Sequence, residues 1–129
     1  MLSIKTFKRV EFLNITTEIE KLVQKSEVPD GICFLFVPHT TAGLTVNENA
    51  DPSVKSDIAI KINKMIPYRD EYTHGEGNSD AHLKSSLFGP SLSLIISGGK
   101  LVLGTWQGIY FCEFDGPRSR NLYIKILSG

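Results

Sequence analysis

No stretch of this chain is apolar for long enough to span a bilayer, and nothing near Met1 resembles the basic start and apolar core of an export signal. A soluble protein of the reducing cytosol is expected, neither exported nor anchored. Cysteine is equally scarce. Cys33 and Cys112 lie inside apolar strand-like runs, GICFLFV and IYFCEF, which suits buried reduced thiols better than a disulfide framework or a metal motif. An excess of either charge is missing as well: 14 Lys and Arg balance 14 Asp and Glu. No global field therefore draws the protein to nucleic acid or to an anionic membrane, and an anionic ligand must be captured locally. Internal repeats, low-complexity tracts, a glycine-rich phosphate loop and a nucleophile elbow are also absent.

What remains is 129 residues with 41% hydrophobic content, enough for one domain spanning the chain that buries roughly two-thirds of its unfolded surface. Residues Leu2 to Phe12 alternate imperfectly and fit a half-exposed strand near a sheet edge. Thr17 and Glu20 have capping-box spacing before a stripe of Ile19, Leu22 and Val23, so a helix is expected to about Lys25. Pro29-Asp30-Gly31 turns the chain into Gly31 to Pro38, which reads as a central strand covered on both faces. Leu44 to Val46 is a short strand, Asp51 or Ser53 can cap a helix opened by Pro52, and Asp80 to Leu87 can form a short helix whose N–H groups suit an anion. Ser97-Gly98-Gly99-Lys100 is the strongest hairpin signal, and strands follow at Ile109 to Phe114 and Asn121 to Leu127. About seven strands and two or three helices, β-rich in the second half, predict an α+β fold with a mostly antiparallel sheet, bent into a sandwich if it curls.

Chemistry concentrates in His74 to Pro90, HGEGNSDAHLKSSLFGP, a polar, glycine-punctuated excursion carrying two of the three histidines. On composition alone an ordinary solvated loop is the better reading, and only the motifs elsewhere in the chain reverse it. All three histidines, His39, His74 and His82, lie in polar segments beside predicted elements. They can hold a divalent metal as imidazole ligands, or serve as anion donors or general acid/base groups. Asn47, Glu48, Asn49 and Asp51 offer hard oxygen donors for Mg²⁺ or a substrate ammonium, although turn and cap chemistry accounts for Asp51. In GTWQGIYFCEFDGPR, Gln107 and the Trp106 indole are hydrogen-bonding groups, and Trp106 with Tyr110 can wall a planar heterocycle. Glu113 either faces solvent or points into a site. Arg118 either pairs with Asp115 across their turn or is the best bidentate phosphate donor in the chain, helped by Lys84. Ser79, Asp80 and His82 are too close along the chain to make a hydrolytic triad.

Three segments, PHTTAGLTVNENADP (Pro38 to Pro52), HGEGNSDAHLKSSLFGPS (His74 to Ser91) and GTWQGIYFCEFDGPR, closely resemble the signature segments of the YjbQ family, UPF0047, and the resemblance spans nearly the whole chain. It implies a small α+β protein forming homotrimers, with secondary thiamine-phosphate synthase activity: a transferase joining hydroxymethylpyrimidine diphosphate to thiazole phosphate and releasing pyrophosphate. On that reading His39, His74 and His82 hold a divalent metal (zinc, manganese or magnesium), while Glu48, Glu113 and Asp80 act in catalysis. Arg118, Lys84, Asn78, Gln107, Trp106 and Thr41 bind a small phosphorylated substrate, and neither nucleic acid nor membrane is a partner. The rivals are a non-catalytic trimer that sequesters a metal or phosphometabolite, and a metal-dependent hydrolase.

Overall fold

A computed structural model describes all residues, 1–129. Eight strands and three helices follow in the order β1 (Leu2–Lys5), β2 (Glu11–Asn14), α1 (Thr16–Ser26), β3 (Asp30–Phe36), β4 (Ala42–Glu48), α2 (Pro52–Met65), α3 (Ser79–Phe88), β5 (Ser91–Ser97), β6 (Lys100–Leu101), β7 (Gln107–Glu113) and β8 (Ser119–Ser128). A five-stranded sheet, β1-β8-β3-β5-β6, packs on a three-stranded sheet, β2-β7-β4, and every strand pair is antiparallel. The expected α+β fold is what forms. No helix is long and apolar enough to cross a membrane.

Side-chain phase decides the layers. Cys33, Leu35, Leu94, Ile96 and Leu122 of the larger sheet meet Leu44, Ile109 and Phe111 of the smaller one, with Ile15, Ile19 and Val23 of the α1 segment closing the same core. On the other face of β7, Tyr110 and Cys112, with Phe114 just beyond, pack with Phe12 and Ala81 beneath the α2–α3 layer. The strand covered on both faces is thus β7, not β3. In β3 the alternate residues Ile32, Phe34 and Phe36 remain 48%, 38% and 41% exposed, because the second layer covers only one side of the larger sheet.

Local chemistry departs from expectation in two more places. The first predicted strand is two edge strands in different sheets, β1 and β2, separated where the Glu11 carboxylate accepts the Phe7 N–H (2.8 Å). No Thr17–Glu20 capping box starts α1. Asn14 Oδ1 instead accepts from the Thr16 N–H (3.1 Å) and hydroxyl (2.6 Å), while Thr16 Oγ1 accepts from the Ile109 N–H (2.8 Å). Elsewhere the turn signals hold: Asp51 Oδ1 accepts the Ser53 N–H at 2.9 Å to cap α2. Gly98 and Gly99, at φ +60° and +76°, make the β5–β6 hairpin.

Candidate functional site

Where the sandwich meets the N-terminal end of α3, a cavity of about 420 Å³ is lined by Pro38, His39, Thr40, Thr41, His74, Glu76, Asn78, His82, Arg118 and Arg120, with no apolar side chain among them besides the proline. The β3–β4 connection supplies His39 and Thr41, the approach to α3 and its first turn supply His74, Asn78 and His82, and the start of β8 with the turn before it supplies the arginines.

Arg120 carries no recognisable motif, yet it is the best-built cation here. It is 3% exposed. Its Nε donates to Glu113 Oε1 (2.9 Å), and its Nη2 donates to Thr41 Oγ1 (2.8 Å), the Thr41 carbonyl (3.2 Å) and Glu113 Oε2. Nη1 makes no hydrogen bond within the protein, and it belongs to a residue on the cavity wall. Glu113, fully buried, also accepts from the Thr6 hydroxyl (2.8 Å) and the Asp115 N–H (3.1 Å). Burial pushes its carboxyl up, but Arg120 and those two donors outweigh burial and hold it below its ordinary value. Glu113 therefore fixes Arg120 from behind; it does not reach the cavity. Thr41 does the same from the side.

Arg118 pairs with Asp115 across its turn and also borders the cavity. Its Nε and Nη2 donate to the Asp115 carbonyl (2.9 Å) and Oδ2 (2.8 Å), and its guanidinium still lines the cavity, half exposed. Asp115 Oδ2 also accepts from Asn78 Nδ2 at 2.8 Å. Asn78 thereby spends one of its two amide N–H groups and keeps the other. Its Oδ1 is the one fully buried side-chain polar atom without a partner, an acceptor waiting for a donor.

His39 Nε2 accepts the Asn121 N–H at 2.9 Å. A neutral ring bonded in this way carries its proton on Nδ1, so neither nitrogen has a lone pair left for a metal. Burial lowers the His39 pKa, and the Arg120 cation lowers it further, keeping the ring neutral. His74 and His82 stand edge to face with centroids 5.3 Å apart, and His74 Nε2 lies 3.9 Å from Glu76 Oε2. No three His, Cys, Asp or Glu side chains converge as a metal-ligand group. A three-histidine metal centre does not fit this arrangement, whereas two guanidinium groups and three imidazoles against one carboxylate suit an anion.

The remaining sequence candidates lie elsewhere. Lys84 is 1% exposed, its Nζ held by Asp80 Oδ2 (3.0 Å) and Asn63 Oδ1 (2.7 Å), and fully buried Asp80 is clasped from the other side by Arg9 (2.9 and 3.0 Å). Burial pushes the Asp80 carboxyl up, but Arg9 and Lys84 prevail and hold it below its usual value. Both are structural ions, not cavity groups. Glu48, Trp106 and Gln107 sit at the far end of the β4–β7 pair, since Ala42 faces Glu113 whereas Glu48 faces Gln107, roughly 20 Å along the strands. There Glu48 accepts the Ala50 N–H (3.3 Å) and Gln107 Oε1 closes the turn onto the Gly104 N–H (2.8 Å). Trp106 is 63% exposed and gains no wall from Tyr110, which is buried under the helices with its hydroxyl donating to the Glu48 carbonyl (3.0 Å).

The family model for UPF0047 YjbQ-like proteins matches residues 1–129. The chain is 58% identical over 124 residues to UPF0047 protein MJ1081 of Methanocaldococcus jannaschii, covering 96% of this chain and 90% of that protein. It is 51% identical over 127 residues to UPF0047 protein YugU of Bacillus subtilis, covering 98% and 96%. Among solved structures, a YjbQ/UPF0047 family protein of Clostridium acetobutylicum superposes with a TM-score of 0.96 at 53% identity, covering 98% of each chain. A YjbQ-like protein of Sulfolobus solfataricus gives 0.95 at 34% identity, covering 99% of this chain and 94% of that one.

Proposed function

We propose that this chain, which belongs to the UPF0047 YjbQ-like family, binds a phosphorylated small molecule in the Arg118–Arg120 cavity and acts on it as a transferase of the thiamine-phosphate synthase type. The observation that carries this reading is Arg120: a guanidinium locked by Glu113 and Thr41, with one nitrogen left free on a wall that also presents Arg118 and the imidazoles. Donors held in place before the ligand arrives need no reorganisation, which is what stabilises a departing polyanion. In the proposed transfer the bond between the pyrimidinylmethyl carbon and its diphosphate oxygen breaks, the electron pair leaving with pyrophosphate. The thiazole nitrogen lone pair forms the new C–N bond. Arg120, Arg118 and the His39 Nδ1–H receive the leaving charge. A divalent ion arriving with the diphosphate would supply further charge neutralisation.

Self-association is part of the proposal. The outer face of β3 carries the cross-strand rows Leu127–Ile32–Ile95, Lys125–Phe34–Ser93 and Tyr123–Phe36–Ser91, a largely apolar surface that further copies of the chain would cover in a homotrimer.

Calorimetric titration with inorganic pyrophosphate should give saturable binding, weakened about tenfold or more by Arg118→Ala. Incubation with hydroxymethylpyrimidine diphosphate and thiazole phosphate should release pyrophosphate. No binding of pyrophosphate, with or without Mg²⁺, refutes the phosphate site; binding without turnover leaves a sequestering protein.

A further inference from the structure

His74 and His82 line not one cavity but two. Behind them a second cavity of about 460 Å³ is bounded by Glu71, Tyr72, Thr73, Ser79 and Leu83. The two imidazoles, edge to face at 5.3 Å, are the shared wall. The compartments differ in chemistry. The first is lined by polar and charged side chains in which cations and imidazoles outnumber the one carboxylate, Glu76; the second adds an aromatic ring and a leucine beside Glu71. The Tyr72 hydroxyl is already spent on the Pro67 carbonyl (2.5 Å), so what Tyr72 offers a ligand is its ring. Ser79, His82 and Leu83 are spaced i, i+3 and i+4 on α3 and therefore face the compartment together. The opposite side of the helix, Ala81, Lys84 and Ser85, is buried against the protein.

Resting on the phosphate reading of the first cavity, we propose that the second is the subsite for the uncharged planar ring of the same phosphorylated molecule, with Tyr72, Leu83 and the His74–His82 wall as its contacts. The ligand class is then an aryl or heteroaryl phosphate ester or diphosphate, and aliphatic phosphates bind by the anion alone.

Methyl phosphate and phenyl phosphate test this on the full chain, by calorimetry and by NMR of the assigned imidazole protons. Phenyl phosphate should bind about tenfold tighter than methyl phosphate, and its ring current should shift the His74 and His82 signals beyond the change methyl phosphate causes. Leu83 is 48% exposed, so Leu83→Ala should fold normally, leave methyl phosphate affinity unchanged and reduce the phenyl preference severalfold. Equal affinity for the two esters overturns the subsite while leaving the phosphate site standing. So does a phenyl preference that survives Leu83→Ala with no extra imidazole shift. If neither ester nor inorganic phosphate binds, the phosphate reading and the subsite fall together.

Discussion

Replacing Glu113 by Ala should destabilise the protein far more than any exposed charge change, and the structure says by roughly how much. Glu113 is fully buried and accepts from Arg120, the Thr6 hydroxyl and the Asp115 N–H; without it, Arg120, itself 3% exposed, keeps only Thr41 as a partner. Removing one member of a buried pair leaves an uncompensated charge and costs about 3–5 kcal/mol, a large part of the 5–15 kcal/mol that holds a domain together. In urea, with a slope of about 1–3 kcal/mol/M, that loss lowers the midpoint by more than about 1 M. The decisive variant is the double one. If the cost is mainly the orphaned charge, Arg120→Met added to Glu113→Ala should recover part of the loss, giving a strongly non-additive cycle at fixed chain concentration. Additive losses, or a Glu113→Ala cost below about 1 kcal/mol, would sink the view that Glu113 exists to hold Arg120. The pH sign follows from the depressed carboxyl: the wild-type contribution is complete above its ordinary value of 4.5 and drains away as pH falls through the lower folded value. Glu113→Ala should therefore flatten the acid limb of the stability curve.

Three further outcomes are expected. With Nε2 accepting from Asn121 and a pKa below the ordinary 6.5, His39 should show nitrogen shifts of the Nδ1–H tautomer at pH 7. Its contribution to stability should be full above that ordinary value and lost as pH falls through the folded one; a charged His39 at neutral pH contradicts the assignment. Lys84→Met should cost about 3 kcal/mol in urea unfolding, yet leave pyrophosphate affinity at its wild-type value, because Nζ is spent on Asp80 and Asn63; a tenfold loss of affinity with normal stability would restore Lys84 to the phosphate site. Phe34→Glu, on the exposed face of β3, should lower the mass measured by light scattering to that of one chain without loss of far-UV signal; an unchanged mass places any self-association elsewhere.

Period-two reading located most of the strands, and turn chemistry located the Asp51 cap and the glycine hairpin. What it missed are cases where phase within a strand outweighs composition. GICFLFV is apolar throughout, so it reads as covered on both sides, but burial also needs a second layer, and only one face of β3 has one. Arg120 was detectable in principle: it lies in phase with Leu122, Ile124 and Ile126, the inward set of β8, and an arginine on that phase must be paired. Glu113, in phase with Ile109 and Phe111, is the partner the same rule demands. Motif grouping brought His39, Thr41, His74, Asn78, His82 and Arg118 to one cavity. It could not foresee that Glu48, Trp106 and Gln107 lie at the other end of a seven-residue strand pair, since separation along a strand depends on register, which short motifs do not encode.

Arg9 lies outside the strands, in the bend between β1 and β2. It clasps Asp80 with two nitrogens, lies 3.7 Å from the Tyr68 ring centroid, and comes within 4.0 Å of Asp115. Charges thereby alternate from the protein interior to the cavity: Lys84, Asp80, Arg9, Asp115, Arg118. The inner members cannot touch a ligand, but they tie α3, which carries His82, to the turn that carries Arg118. A neutral substitution at Arg9 should therefore loosen the relative placement of His82 and Arg118 and weaken anion binding from a residue that never meets the anion. Lys84→Met leaves the Arg9–Asp80 link intact, so the two variants separate the interior of this chain of charges from its span.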